Sequence, residues 1–347
     1  MAVRRHRVRT LFAGVLAAFA LSTMAAAPAA AGSPPTVDPA DAAAGWLARQ
    51  LVDGERFEVV FDGVAYPDQG LTVDAVFAFA AAKVAGANAG KAMTWLARPE
   101  ILTGYIGDGT EAYAGATAKL ALAVQVRGGD PAAFGGVDLI GRLRGLQAPS
   151  GRFSDRSAFG DYSNAFTQSF ALLTLDRTPA GAPATGATYL AGARCADGGF
   201  PLSFDQPTCV SDVDATALVV QALLAVGRPD AAAAAVTWLS SVQSGDGSFT
   251  DSAGVPNANS TGLAAQALRV AGRPVAWLKA RGFLLSLQVR CAGPAAQRGG
   301  IAYSPAGFDP STAVRATAQA VPGLTGAGLA TLTAAGSRPA APVLACP

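Results

Sequence analysis

Apolar positions along this chain recur with helical period in short blocks separated by glycine-rich turns. Val236, Leu239 and Val242 fall on one face of a short segment that ends at Gly245 and Gly247. A second segment starts at Asn259, runs through Leu263, Ala264, Ala267 and Leu268 with the same period, and stops at Gly272-Arg273-Pro274. The unit therefore reads as helix, Gly-rich turn, helix. The unit before it stops almost identically, at Gly227-Arg228-Pro229.

That unit recurs six times with a period of about 47 residues. An aromatic or its stand-in, followed by Leu, stands at Trp46, Trp95, Arg142, Tyr189, Trp238 and Phe283, at spacings of 49, 47, 47, 49 and 45. Eleven residues after the first five lie Phe57, Ile106, Phe153, Phe200 and Phe249. Five residues after three of the anchors lies Gln147, Gln243 or Gln288, and in the first copy Gln50 comes one residue early. The second copy is the most degraded, with Pro99-Glu100 where Gln is expected. A fixed period of this size means one supersecondary unit stacked on its own copies.

The second helices are expected to start at Asp74, Gly115, Asn164, Asp214, Asn259 and Pro310, the last behind Asp309. Asp, Asn, Ser and Thr suit such positions because their oxygens accept from unpaired backbone N–H groups. Small residues follow, which permit close helix packing. Six hairpins fit either an open solenoid or a closed ring. The first repeat shows no polar capping face and the chain stops after six units, so the expected fold is all-α, a closed (α/α)6 toroid spanning residues 41–325.

Composition adds the flanks. Arg4, Arg5, Arg7 and Arg9 precede an apolar run from Leu11 to Met24, and Ala29-Ala30-Ala31 offers a cleavage site, so residues 1–31 read as a secretory signal peptide. Residues 32–40 read as a linker and 326–347 as a C-terminal tail. Losing the leader removes four Arg and no acid, leaving 22 Lys and Arg against 24 Asp and Glu, a net charge of −2. No basic surplus or Lys/Arg run remains to suggest a nucleic-acid partner. No second span or lipidation Cys follows, so the product is expected to be secreted and extracellular. The four Cys of the mature part favour disulfides. Of three possible pairings, Cys195–Cys209 and Cys291–Cys346 are expected, one closing the fourth repeat's loop and one fastening the tail.

The repeats resemble those of the terpene cyclase and protein prenyltransferase superfamily. Arg142-Leu143 with Gln147, Gly151 and Phe153, and Trp238-Leu239 with Gln243, Gly247 and Phe249, are similar to the repeat motif of squalene-hopene-type cyclases. That resemblance implies the α/α toroid. Asp212-Val213-Asp214-Ala215-Thr216-Ala217 resembles the cyclases' Asp-x-Asp-Asp-Thr-Ala motif, in which the middle Asp protonates an isoprenoid alkene or epoxide. Asp214 takes the middle place, Asp212 the first, and Ala215 replaces the last acid. The resemblance thus implies a catalytic Asp214 with Asp212 as its raising neighbour. The same Asp214 also fits a helix N-cap, as Asn164 and Asn259 do in sister repeats.

Other branches of the superfamily are tested by what the chain lacks. The single His is His6, inside the leader, so the Asp-Cys-His zinc site of prenyltransferases cannot be built, nor His-based acid–base catalysis. No metal and no cofactor is expected. Aromatics are 7% of the chain, few for a carbocation cavity. Transcobalamin-like toroids are similar secreted binders, but their small β-domain is missing here. Glycosidases on such rings need two facing carboxylates, for which the loop acids Asp108, Glu111, Asp155 and Asp161 are candidates.

In a ring the six inner helices run parallel and their N-termini gather on one rim. Asp74, Tyr113, Asn164, Asn259 and Asp309, with Asp214, are expected to decorate that rim over an apolar well of Ala, Val, Leu and Phe. The first reading is thus a non-catalytic binder of a hydrophobic or amphipathic small molecule, or of a protein. The second is an isoprenoid cyclase using Asp214, and the third a glycan-active enzyme.

Overall fold

The structure, a computed structural model, describes residues 33–347. The signal-peptide reading falls outside them. The first repeat is α1 (Pro39–Arg49) and α2 (Gln69–Ala82), joined by the hairpin β2 (Glu58–Phe61) and β3 (Val64–Pro67), with β1 (Pro35–Thr36) ahead of it. The second holds α3 (Gly86–Leu96), an extra helix α4 (Pro99–Ile106) and α5 (Ala114–Val126). The third is α6 (Leu139–Arg144) and α7 (Ala165–Asp176), the fourth α8 (Ala184–Gly192) and α9 (Val213–Ala225). The fifth is α10 (Pro229–Val242), β4 (Phe249–Thr250), β5 (Pro256–Asn257) and α11 (Ala258–Val270). The sixth is α12 (Pro274–Ser286) and α13 (Pro310–Thr325), and β6 (Val343–Leu344) lies in the tail.

The inner helices follow one another around a closed circle: α2 packs on α5, α5 on α7, α7 on α9, α9 on α11, α11 on α13, and α13 on α2. The open solenoid is thereby excluded. Small residues set the spacing. At Gly262 of α11 a Cβ would overlap the Gln319 carbonyl of α13, so backbone meets backbone there.

The repeat motif now has a physical explanation. The Gln243 amide donates to the Gly247 carbonyl (3.1 Å) and to Ala276 O (2.9 Å) at the start of the next outer helix. Gln147 does the same with Gly151 O and the Thr185 hydroxyl. Gly247 has φ +91°, and a Cβ there would overlap the Lys279 carbonyl, so only glycine fits. Gln288 repeats the bond to Gly299 O and reaches Pro39 O at 2.8 Å, tying the sixth repeat to the first. α1 fills the seam against both α13 and α2.

The tail crosses the end of the ring where the inner helices terminate. The Arg177 guanidinium donates to the carbonyls of Leu329, Ala330 and Leu332. Leu329 N donates to Gln221 Oε1 (2.9 Å), Ala334 N to Val126 O (2.8 Å), and the Lys83 ammonium to Thr333 and Ala335 carbonyls. Arg338 then pairs with Asp41, β6 lies parallel to β1, and Cys346 bonds Cys291. The second disulfide joins Cys195 to Cys209, so both expected pairings are present. Among the described residues no helix is long and apolar enough to cross a membrane.

Candidate functional site

The far end of the ring is the candidate site, and its geometry follows from one internal reference. In five repeats a polar side chain of the inner helix caps the backbone N–H of the large apolar residue in the turn before it. Thr72 accepts from Phe57, Gln168 from Phe153, Thr216 from Phe200, Thr261 from Phe249 and Thr317 from Ile301, at 2.8–3.0 Å. These residues face the outer wall. Residues two before and two after them lie about 200° around the helix and so face the axis.

This registration corrects the expected helix starts. Asp212, not Asp214, is the N-cap of α9 and accepts from Ala215 N at 2.8 Å. Asn257, not Asn259, caps α11 through Ser260 N. Asp68 caps α2, which starts at Gln69, leaving Asp74 inside the second turn. The cause is a doublet. Asp-x-Asp and Asn-x-Asn each offer two cap candidates, the first takes the role, and the second is carried into the helix and turned towards the axis. Asn164 is a cap, within a capping box with Thr167, and Asp309 caps α13 in the open. Tyr113 precedes α5 but supplies no cap bond. Asp155 of the next repeat does so instead, accepting from Ala114 N at 2.8 Å.

The axis-facing residues form two layers. The outer one is Gly70, Gly115, Phe166, Asp214, Asn259 and Arg315. The next is Asp74, Lys119, Phe170, Leu218, Leu263 and Gln319. Lys119 pairs with Asp74 at 2.6 Å, donates to Gly70 O, and lies 5.9 Å from the Phe170 ring centre. Arg315 pairs with Asp68 at 2.8 Å and approaches Asp74 at 4.0 Å. Burial, with Asp74 and Asp68 nearby, pushes the Tyr105 hydroxyl far above its ordinary range. The mouth is therefore a shallow bowl with two internally paired cations.

Below the bowl the expected apolar well is closed. One turn further in, Phe77, Leu122, Leu173, Gln221, Gln266 and Pro322 come to the axis, and all are buried. Phe77 stacks on Phe170 with ring centres 6.5 Å apart. Side chains fill the shaft and the tail covers its floor.

Asp214 stands apart from the paired charges. Its Oδ1 is buried without a hydrogen-bond partner, and so is Oδ1 of Asn259 on the neighbouring helix. Its pKa is pushed up to about 6. Burial is the main cause, the Ser260 hydroxyl opposes it, and Asp212 and Asp251 add like-charge repulsion. Tyr303 donates to Asp251 at 2.6 Å, which holds that carboxyl below its usual range.

The loop acids have other occupations. Asp108 accepts from Thr110 and Glu111 N–H groups, Glu111 from Ala158 N, and Asp161 from Asp155 and Ser163 N–H groups. Sequence reading missed Lys119, Arg315, Phe166 and Phe170. Lys119 carried a signal, being the one charged residue in α5.

No family model matches the chain, and no curated protein matches it in sequence. Solved structures do. A protein from Actinoplanes superposes with TM-score 0.60 at 18% identity, covering 84% of this chain and 100% of that one. A variant of the type II terpene cyclase MstE from Scytonema, in complex with geranylgeranyl dihydroxybenzoate, gives TM-score 0.62 at 17% identity, covering 85% and 97%. An unsaturated glucuronyl hydrolase from Bacillus sp. gives 0.59 at 13%, covering 82% and 95%. The chain thus has the (α/α)6 toroid fold of terpene cyclases and glycosidases. At these identities the likeness establishes fold alone.

Proposed function

We propose that this chain is a secreted, non-catalytic toroid that takes an amphipathic small molecule at the rim where the inner helices begin. The observation that carries this reading is the filled axis. Cyclising an isoprenoid requires a deep dry cavity that folds the chain and shields a cation, and here the third layer is solid side chain. The bowl's two cations are paired to Asp74 and Asp68, so neither is left to hold a diphosphate or a uronate. The candidate glycosidase acids are engaged in capping helices and loops. Asp74, Tyr113, Asn164, Asn259 and Asp309 belong to this rim in the proposal, with a protein partner as the alternative occupant.

The test is native mass spectrometry of the mature protein after exposure to a lipid-rich metabolite extract. A retained adduct of defined mass is expected. Depletion of an isoprenoid without an adduct would refute the non-catalytic reading.

One observation favours a second reading, isoprenoid protonation by Asp214. A buried carboxyl with one oxygen lacking a hydrogen-bond partner and a raised pKa is what a proton donor to an alkene needs. Under it, Asp214→Asn abolishes product formation from geranylgeranyl substrates while the protein stays folded. Wild-type protein that leaves such substrates unchanged sinks it.

A further inference from the structure

Beside the bowl, on the outer side of the same rim, lies a groove of about 820 Å³ between the fourth and fifth repeats. That is within the range of roughly 300–1,000 Å³ typical of small-molecule sites. One wall is the loop held by the Cys195–Cys209 disulfide, and the other is the C-terminal end of α10. Leu202, Val210, Trp238 and Val242 line it, and Asp212 and Asp251 are the two acids among the lining residues.

Two features of this lining are unusual. Val210 is 69% exposed and Leu202 and Val242 are each 40% exposed, so large apolar side chains face the groove without cover. Among the described residues that line it there is no Lys or Arg, although two carboxylates are present. The partners of those carboxylates are neutral. Asp212 accepts from Ala215 N, and Asp251 from the Tyr303 hydroxyl and from Ala253 and Val255 N–H groups. A third acid, Asp197, accepts from the Trp238 indole N–H at 3.0 Å and fixes the ring in the wall. Two acids without a counter-ion, beside a tryptophan ring, attract an organic cation by charge and by the ring quadrupole. The uncovered aliphatic wall asks for an apolar chain on the same molecule.

We propose that this groove binds an alkylammonium-type ligand. Its cationic head lies at Asp212 and Asp251, and its chain runs along Leu202, Val210, Trp238 and Val242. The proposal rests on the binding reading of the rim and gives it a ligand class. Phosphorylated or carboxylated amphiphiles are disfavoured by the same two acids.

Calorimetric titration of the mature chain with octyltrimethylammonium, octyl sulfate and octyl glucoside tests it. The ammonium is expected to bind at least about tenfold tighter than either control, about 1.4 kcal/mol. Asp212→Asn with Asp251→Asn should cost about tenfold for the ammonium and leave the glucoside unchanged. Asn caps a helix about as well as Asp, and an unchanged melting temperature confirms the fold. Val210→Lys, at an exposed position, should abolish ammonium binding independently. Equal affinity for octyl sulfate, or full ammonium affinity in either variant, overturns the assignment. A metabolite adduct in native mass spectrometry without ammonium binding sinks this ligand class alone. Absence of both sinks the binding reading as well.

Discussion

Replacing Asp214 by Asn removes a buried charge while keeping shape and size. The folded pKa is about 6, against 3.8 for an ordinary Asp. For an acid whose pKa rises on folding, the penalty is absent below the unfolded pKa and complete above the folded one. Between those values the unfolded chain releases the proton and the native state retains it, so stability falls as pH rises. The full shift corresponds to about 3 kcal/mol of destabilisation above about pH 7. Near pH 4.5 the same linkage leaves only about 1 kcal/mol. Asp214→Asn should therefore stabilise the protein by about 3 kcal/mol near pH 7.5 and about 1 kcal/mol near pH 4.5. Urea unfolding of both proteins at the two pH values measures the difference through the midpoints. An N-cap role for Asp214 would instead make the substitution nearly neutral at both. A variant that is destabilised, or equally stable at both pH values, would show that the hydrogen bonding of the carboxylate outweighs its burial and refute the burial argument.

Three further outcomes follow from the ring. Replacing Cys291 and Cys346 by Ser opens a bridge across a separation of 55 residues and should cost about 4 kcal/mol, whereas Cys195 and Cys209, separated by 14, should cost about 3, read as urea midpoints. A reversed order would contradict the loop-entropy account. Gly262→Ala, which would stabilise an exposed helix by about 1 kcal/mol, should here destabilise by about 1–3 kcal/mol in thermal melts, because its Cβ overlaps the α13 backbone. Gln288→Ala removes the bonds to Pro39 and Gly299 and should lower stability by about 1–3 kcal/mol, with faster amide exchange in α1.

The repeat was legible because its motif residues do a repeated mechanical task. Gln147, Gln243 and Gln288 each bridge a turn to the next outer helix, so their spacing records the fold directly. Where a repeat departs, the pattern fails for local reasons. Pro99 suits the first turn of a helix, and α4 forms where the second Gln is missing. In the sixth repeat, inserted residues after Cys291 move the turn residue to Ile301, eighteen after Phe283, whereas the other five lie eleven after their anchors. The inner register was obscured by doublets such as Asp212 and Asp214. Either member can cap, and backbone geometry alone chooses. The filled shaft had no signature at all, since the same Ala, Val and Leu line a hole or close one. The groove beside α10 was equally hidden, because its walls come from two repeats and a disulfide loop.

The bond from Gln288 to Pro39, the β1–β6 pairing and the Cys291–Cys346 bridge have a joint consequence for how this molecule comes apart. A linear stack of repeats frays from its terminal units, which each have one neighbour. Here every unit has two, and the two ends of the described residues are pinned at the same seam. Unfolding thus has no favoured starting point, and the six units are expected to melt as one cooperative block rather than peel away in sequence.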